Sequence, residues 1–155
     1  MSKDTGFSIT SAERYSLALY ELSNESNLLT QIEEQCSSVL ELINTSDDFK
    51  NLIKDPTTKQ DDLLKITNSI SENYKFETLF KNFLNFLIQK RRFFFVESIL
   101  KSFIETCSRK RGELKAKLRS AKSLSNDEII KIKNLLTKNF SSKIKLDYVH
   151  DESLI

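Results

Sequence analysis

The last third of the chain, GELKAKLRSAKSLSNDEIIKIKNLLTKNFSSKIKLDYVHDESLI, residues 112–155, decides the fold. Leu114, Ala116, Leu118 and Ser120 alternate with Glu113, Lys115, Lys117 and Arg119, and Ile144, Leu146 and Tyr148 alternate with Lys143, Lys145 and Asp147. A period of two is that of half-buried strands. Between the two runs, Ser125-Asn126-Asp127-Glu128 has the spacing of a capping box, in which Ser and Glu satisfy free N–H groups at a helix start. A helix is therefore expected from there, carrying Ile129, Ile132, Leu136 and Phe140 on one side. The stretch reads strand, helix, strand. It stops at Asp151-Glu152-Ser153-Leu154-Ile155 in a strand-like pattern with no turn or polar tail, as expected if the natural protein is longer.

Working back from Gly112, the chain changes character. Only 2 glycines and 1 proline occur in 155 residues, few for an all-β fold or a loop-rich enzyme, and the composition leans helical. Arg109-Lys110-Arg111 before Gly112 reads as a helix end, with cations near its last carbonyls and glycine in the left-handed conformation. The domain boundary is placed here. Upstream, Val96, Leu100, Phe103 and Cys107 form one apolar stripe, and Phe76, Phe80, Phe83 and Leu87 form another, widened by Leu79 and Phe86. Leu63, Ile66 and Ile70 mark a helix capped by Thr57 or Thr58. Asp47 opens a short segment with Phe49, Leu52 and Ile53 that Asp55-Pro56 must end. Leu29, Ile32, Cys36, Val39 and Ile43 step by 3, 4, 3 and 4, the spacing of a helix packed along a partner. Thr10-Ser11-Ala12-Glu13 offers a capping box for a first helix over 11–24, with Ala12, Tyr15, Leu19 and Leu22 in phase.

The expected architecture is mainly α, α+β overall. A flexible lead (1–10) precedes a bundle of about six helices (11–108), and a small, truncated strand-helix-strand α/β domain (109–155) follows.

Hydrophobic residues make up 39% of the chain, enough for modest cores, and the net charge of +2 hides an asymmetry. Residues 1–70 hold 12 acidic and 6 basic side chains, whereas 71–155 hold 10 and 18, so the halves face different partners unless the charges merely solvate the surface. Cys36 and Cys107 each fall on an apolar stripe, which fits small buried hydrophobes in a reducing compartment better than a metal or redox motif. No apolar run approaches the roughly 18 residues of a membrane span, and the N-terminus lacks a signal-peptide core.

Catalytic chemistry has little support. Glycine stands only at positions 6 and 112, so neither the P-loop nor the dinucleotide-binding turn can form. The single histidine, His150, has Asp147, Asp151 and Glu152 nearby without a ligand spacing, and a solvated turn explains it better than a metal or acid-base site. Lys90-Arg91-Arg92 and Arg109-Lys110-Arg111 raise nucleic-acid binding, but both fall where a helix dipole already favours cations. Of Phe93, Phe94 and Phe95, three in a row on a helix, most should be core. An interaction surface is easier to argue. The helix from Phe76 to Lys90 is apolar over more of its circumference than one contact requires, and Ala18 beside Tyr15 and Leu19 leaves room for a partner helix. Both helices being central to the bundle is the other reading, and the residues alone do not separate the two.

The order of motifs resembles a known family. Ala12-Glu13-Arg14-Tyr15-Ser16-Leu17-Ala18-Leu19-Tyr20-Glu21-Leu22 is similar to the opening helix of the delta subunit of bacterial F-type ATP synthases, the counterpart of the mitochondrial oligomycin-sensitivity-conferring protein. The resemblance continues through Phe49, Leu52 and Asp55-Pro56-Thr57, then Asn82-Phe83-Leu84 with Leu87 and Arg92. It ends through Gly112, Ala116, Ser120-Ala121, Leu124-Ser125 and Asp151, Ser153, Leu154 and Ile155. Members typically continue with Gly-Gly, a hairpin and a basic helix, so the resemblance implies a truncated chain whose strand ending at Val149 lacks a neighbour, and a C-terminal domain less stable than in a complete homologue. It implies a non-catalytic stator subunit without cofactor, metal or nucleic acid, peripheral on the cytoplasmic face of the bacterial inner membrane and held there only through the complex. Its partners would be the N-terminal helices of the alpha subunit, in a groove at Tyr15, Ala18, Phe83 and Phe86, and the peripheral-stalk b subunit, bound from Gly112 onward. The rival reading is an all-helical nucleic-acid-binding factor that uses the basic C-terminal half.

Overall fold

The computed structural model of the chain describes residues 9–140 and 144–154. Seven α-helices and two strands follow in order among them: α1 (Ile9–Glu25), α2 (Leu29–Thr45), α3 (Asp47–Lys54), α4 (Gln60–Asn73), α5 (Thr78–Gln89), α6 (Val96–Lys110), β1 (Leu114–Ser120), α7 (Asn126–Phe140) and β2 (Ile144–His150). The chain divides into two compact units, Met1–Cys107 and Ser108–Ile155, with α6 running across the division. The architecture is mainly α, six helices and then strand-helix-strand, as the periodicities predict.

In the first unit the apolar stripes meet in one core. α2 buries Ile32, Cys36, Val39 and Ile43, the spacing read from the sequence. α5 adds Phe80, Leu84, Leu87 and Ile88, and α6 adds Val96, Ile99, Leu100 and Phe103. Removing a side chain such as Phe80 or Phe103 from water contributes about 1.5–3 kcal/mol each. Cys36 and Cys107 are buried and form no disulfide, and burial pushes the Cys36 thiol pKa well up, so it packs as a neutral apolar group.

The helix ends explain where elements stop. Ser46 terminates α2 and also caps α3, its hydroxyl accepting from Phe49 N–H at 3.2 Å. Asp55 leaves helical geometry before Pro56, as expected. α4 starts differently from the expectation: Lys59 occupies its N-cap, while Thr57 donates to Asp55 and Thr58 donates to the Leu52 carbonyl. The first helix also begins earlier than its capping box implies, at Ile9, so Thr10 is helical; the rest of the expected lead, residues 1–8, lies outside the described residues. The Gln60 amide donates to the carbonyls of Ile88 and Gln89, which serves the free end of α5 with a side chain from α4. Phe93–Phe95 form a 3-10 turn rather than part of a helix; Phe93 is buried and Phe94 is 52% exposed.

In the second unit β1 and β2 pair in parallel, with Leu114 opposite Ile144 and Ser120 opposite His150. A parallel pair requires a crossover, and α7 supplies it. The strand through Val149 pairs with β1 on one edge, and among the described residues no strand pairs its other edge, the unpaired edge that the resemblance implies. Ala116, Leu118, Leu146 and Tyr148 are half-buried on one face, whereas Lys117, Arg119, Asp147 and Val149 are exposed on the other. The capping box at α7 forms in modified geometry: Glu128 N–H donates to Ser125 Oγ, and that hydroxyl donates to the Glu128 carboxylate. Tyr148 Oη accepts from Leu124 N–H at 3.0 Å, tying β2 to the start of the crossover.

Candidate functional site

α1 turns one face inward and leaves an apolar flank outside it. Ala12, Ser16, Leu19 and Ser23 are buried, with spacings of 4, 3 and 4. The small Ser16 lets α6 approach: its hydroxyl donates to the Glu13 carbonyl at 2.8 Å and lies 3.0 Å from Ser102 Oγ. Beside this face, Tyr15, Ala18 and Leu22 follow at i, i+3 and i+7. Tyr15 is half-buried, Ala18 is exposed and Leu22 is 50% exposed.

α5 meets that flank. Its core face is Phe80, Phe83, Leu84, Leu87 and Ile88, and Phe86 projects beside it, 42% exposed. The Tyr15 and Phe86 rings lie 6.4 Å apart, tilted by 54°, within the range of a favourable aromatic pair. Lys90 places its ammonium 5.8 Å from the Phe86 ring centre. The seam between α1 and α5 is thus an aromatic pair flanked by exposed Ala18 and Leu22, with a cation over one ring.

The four residues expected at a groove are not equivalent. Tyr15 and Phe86 are in ring contact, and Ala18 is on the exposed flank. Phe83 is only 8% exposed and packs in the bundle core, where it supports the seam. Leu22 belongs to the same flank as Ala18, and its signal was the i+4 spacing from Ala18.

Elsewhere, His150, Asp151 and Glu97 have local polar partners. His150 is exposed, with Nε2 3.1 Å from the Ala121 carbonyl, and Asp151 accepts from Ser153 N–H and Oγ, which lowers its pKa. Glu97 accepts from Lys101 Nζ at 2.9 Å, and that bond lowers its pKa. Among the described residues no group of three His, Cys, Asp or Glu side chains is placed to hold a metal, and no helix is long and apolar enough to cross a membrane.

Fold and seam together define a mainly α, two-unit protein whose bundle exposes an apolar strip between its first and fifth helices. The family described as ATP synthase delta (OSCP) subunit matches residues 12–155, and the chain belongs to this family. It is 63% identical over 155 residues to ATP synthase subunit delta of Pelagibacter ubique (strain HTCC1062), covering 100% of this chain and 84% of that one. The Rhodospirillum rubrum subunit delta is 29% identical over 144 residues, covering 93% and 77%. The fold is similar to that of a chain in the cryo-EM structure of the Toxoplasma gondii mitochondrial ATP synthase hexamer, with a TM-score of 0.75 and 19% identity over 90% of this chain and 77% of that one.

Proposed function

We propose that the chain is the stator link of an F-type ATP synthase, joining the catalytic head to the peripheral stalk so that rotor torque is used for ATP synthesis. The bundle holds an N-terminal helix of the alpha subunit along Tyr15, Ala18 and Phe86, with Phe83 beneath, and the unit from Ser108 onward holds the b subunit. The observation that carries this reading is the apolar strip on α1 and α5, where Leu22 and Phe86 remain half exposed after the bundle core is complete. An amphipathic helix laid there would cover both, and the buried apolar contact would give the slow dissociation a stator needs. The task is mechanical and requires no active site of its own. The chain's place is peripheral, on the cytoplasmic face of the membrane, held there by its partners.

Calorimetric titration with a synthetic N-terminal peptide of the alpha subunit from the same source tests the reading. Saturable one-to-one binding is expected. Tyr15→Asp should weaken it by at least about tenfold, because a carboxylate would be desolvated in the seam without a partner. Absence of binding by the folded wild-type chain would overturn the reading.

A further inference from the structure

The seam is apolar along its floor but not along its rims. Arg14 precedes Tyr15, and the Lys90 ammonium lies over Phe86, the ring in contact with Tyr15. One cation therefore lies over a ring of the aromatic pair and a second, the exposed Arg14, adjoins Tyr15 in the chain, and neither has a carboxylate partner among the described residues. Leu22 lies two helical turns further along α1, about 10 Å away at 1.5 Å per residue. Its neighbours there are Glu21 and Glu25, both exposed and likewise without a cation partner among the described residues. The strip is basic at Tyr15 and acidic at Leu22.

Resting on the proposed docking of a partner helix, we propose that this charge polarity selects the helix and fixes its direction: its carboxylates lie over Tyr15 and Phe86, and its cations lie over Leu22. The reversed direction would set like charges against each other at both ends, while the apolar contacts would be almost the same in either direction. Charge therefore supplies the discrimination that the apolar floor lacks. Lys90 is the main specificity residue. Its position over Phe86 holds the ammonium at the rim of the seam, beside a partly desolvated ring, where a partner carboxylate would be screened less than on an open surface.

The test uses the full chain and the same synthetic alpha-subunit peptide, titrated calorimetrically into wild type, Lys90→Glu and Glu25→Lys at low and at high salt. Both side chains are exposed, so both variants should keep the wild-type circular dichroism and melting curve. Each reversal is expected to weaken binding about fivefold or more at low salt, and the loss should shrink at high salt. Wild-type binding with both variants within about twofold of it would overturn the charge polarity and leave the docking reading standing. A loss that is undiminished at high salt would mark lost packing rather than charge, and would overturn the inference too. No binding by the folded wild-type chain would overturn the docking reading, and this inference with it.

Discussion

Asp55 stands before Pro56 and accepts two hydrogen bonds from Thr57, from the backbone N–H at 2.8 Å and from Oγ1 at 2.6 Å. Both favour the carboxylate, so its pKa lies below the usual 3.8. A group whose pKa is depressed by folding stabilises the fold above its unfolded value, and that contribution is lost as pH falls through the folded one. Asp55→Asn is therefore expected to be less stable than wild type in urea near pH 7, with the gap closing in acid as the wild-type carboxyl is protonated. A gap that did not change with pH would show that the turn is held by shape rather than charge. At the same scale, Tyr15 and Lys90 carry the binding tests; Lys90 is exposed, and Tyr15 is half-buried at the edge of the core.

Four helices end in the same way. At Asn27, Lys75, Arg91 and Gly112 the backbone φ is 56°, 54°, 58° and 74°, the left-handed region. In each case the next residue's N–H donates to a carbonyl five residues back: Leu28 to Ser23, Phe76 to Ser71, Arg92 to Leu87 and Glu113 to Ser108. This is the Schellman pattern, which glycine serves most easily. Only one of the four uses glycine, so three of these stops carry no glycine signal and were placed from apolar periodicity instead. Removing the strain at Lys75 with Lys75→Gly should stabilise the chain by about 0.5–1 kcal/mol. Gly112→Ala should do the reverse by about 1 kcal/mol, through backbone conformation alone, because a Cβ there meets nothing within 4 Å. Chemical denaturation of the two variants checks both signs, and the same sign for both would contradict the argument.

Stability is unevenly shared between the units. The bundle buries 19 apolar side chains in one cluster, whereas beyond Lys110 Ile144 is the one buried apolar residue among those described. Ile130 and Leu135 on α7 are more than half exposed, and a two-stranded sheet is marginal without further cover. Amide hydrogen exchange should therefore be faster in β1, α7 and β2 than in α2, α5 and α6, with the second unit opening at lower free energy than the first. Equal protection across the units would show that burial within each unit does not set its local stability.

Sequence by itself determined the fold class, because the periods of two and of 3.6 are local consequences of which side chains must leave water. The strand alternation around α7, the stripe from Ile32 to Ile43 and the Gly112 stop were all legible for that reason. Ser46 as a shared cap, Lys59 in place of a threonine, and Lys75 and Arg91 in left-handed geometry were not, since local alternatives of similar energy are chosen by what packs against them. The parallel register of β1 and β2 likewise depends on contacts between distant segments. At the seam, the family resemblance marked Tyr15, Ala18, Phe83 and Phe86 as one set. Tertiary packing sent Phe83 into the core, left Leu22 and Phe86 at the surface and set Lys90 over a ring. Which part of a helix's apolar circumference stays in water depends on the neighbouring helices, and only the assembled bundle decides it.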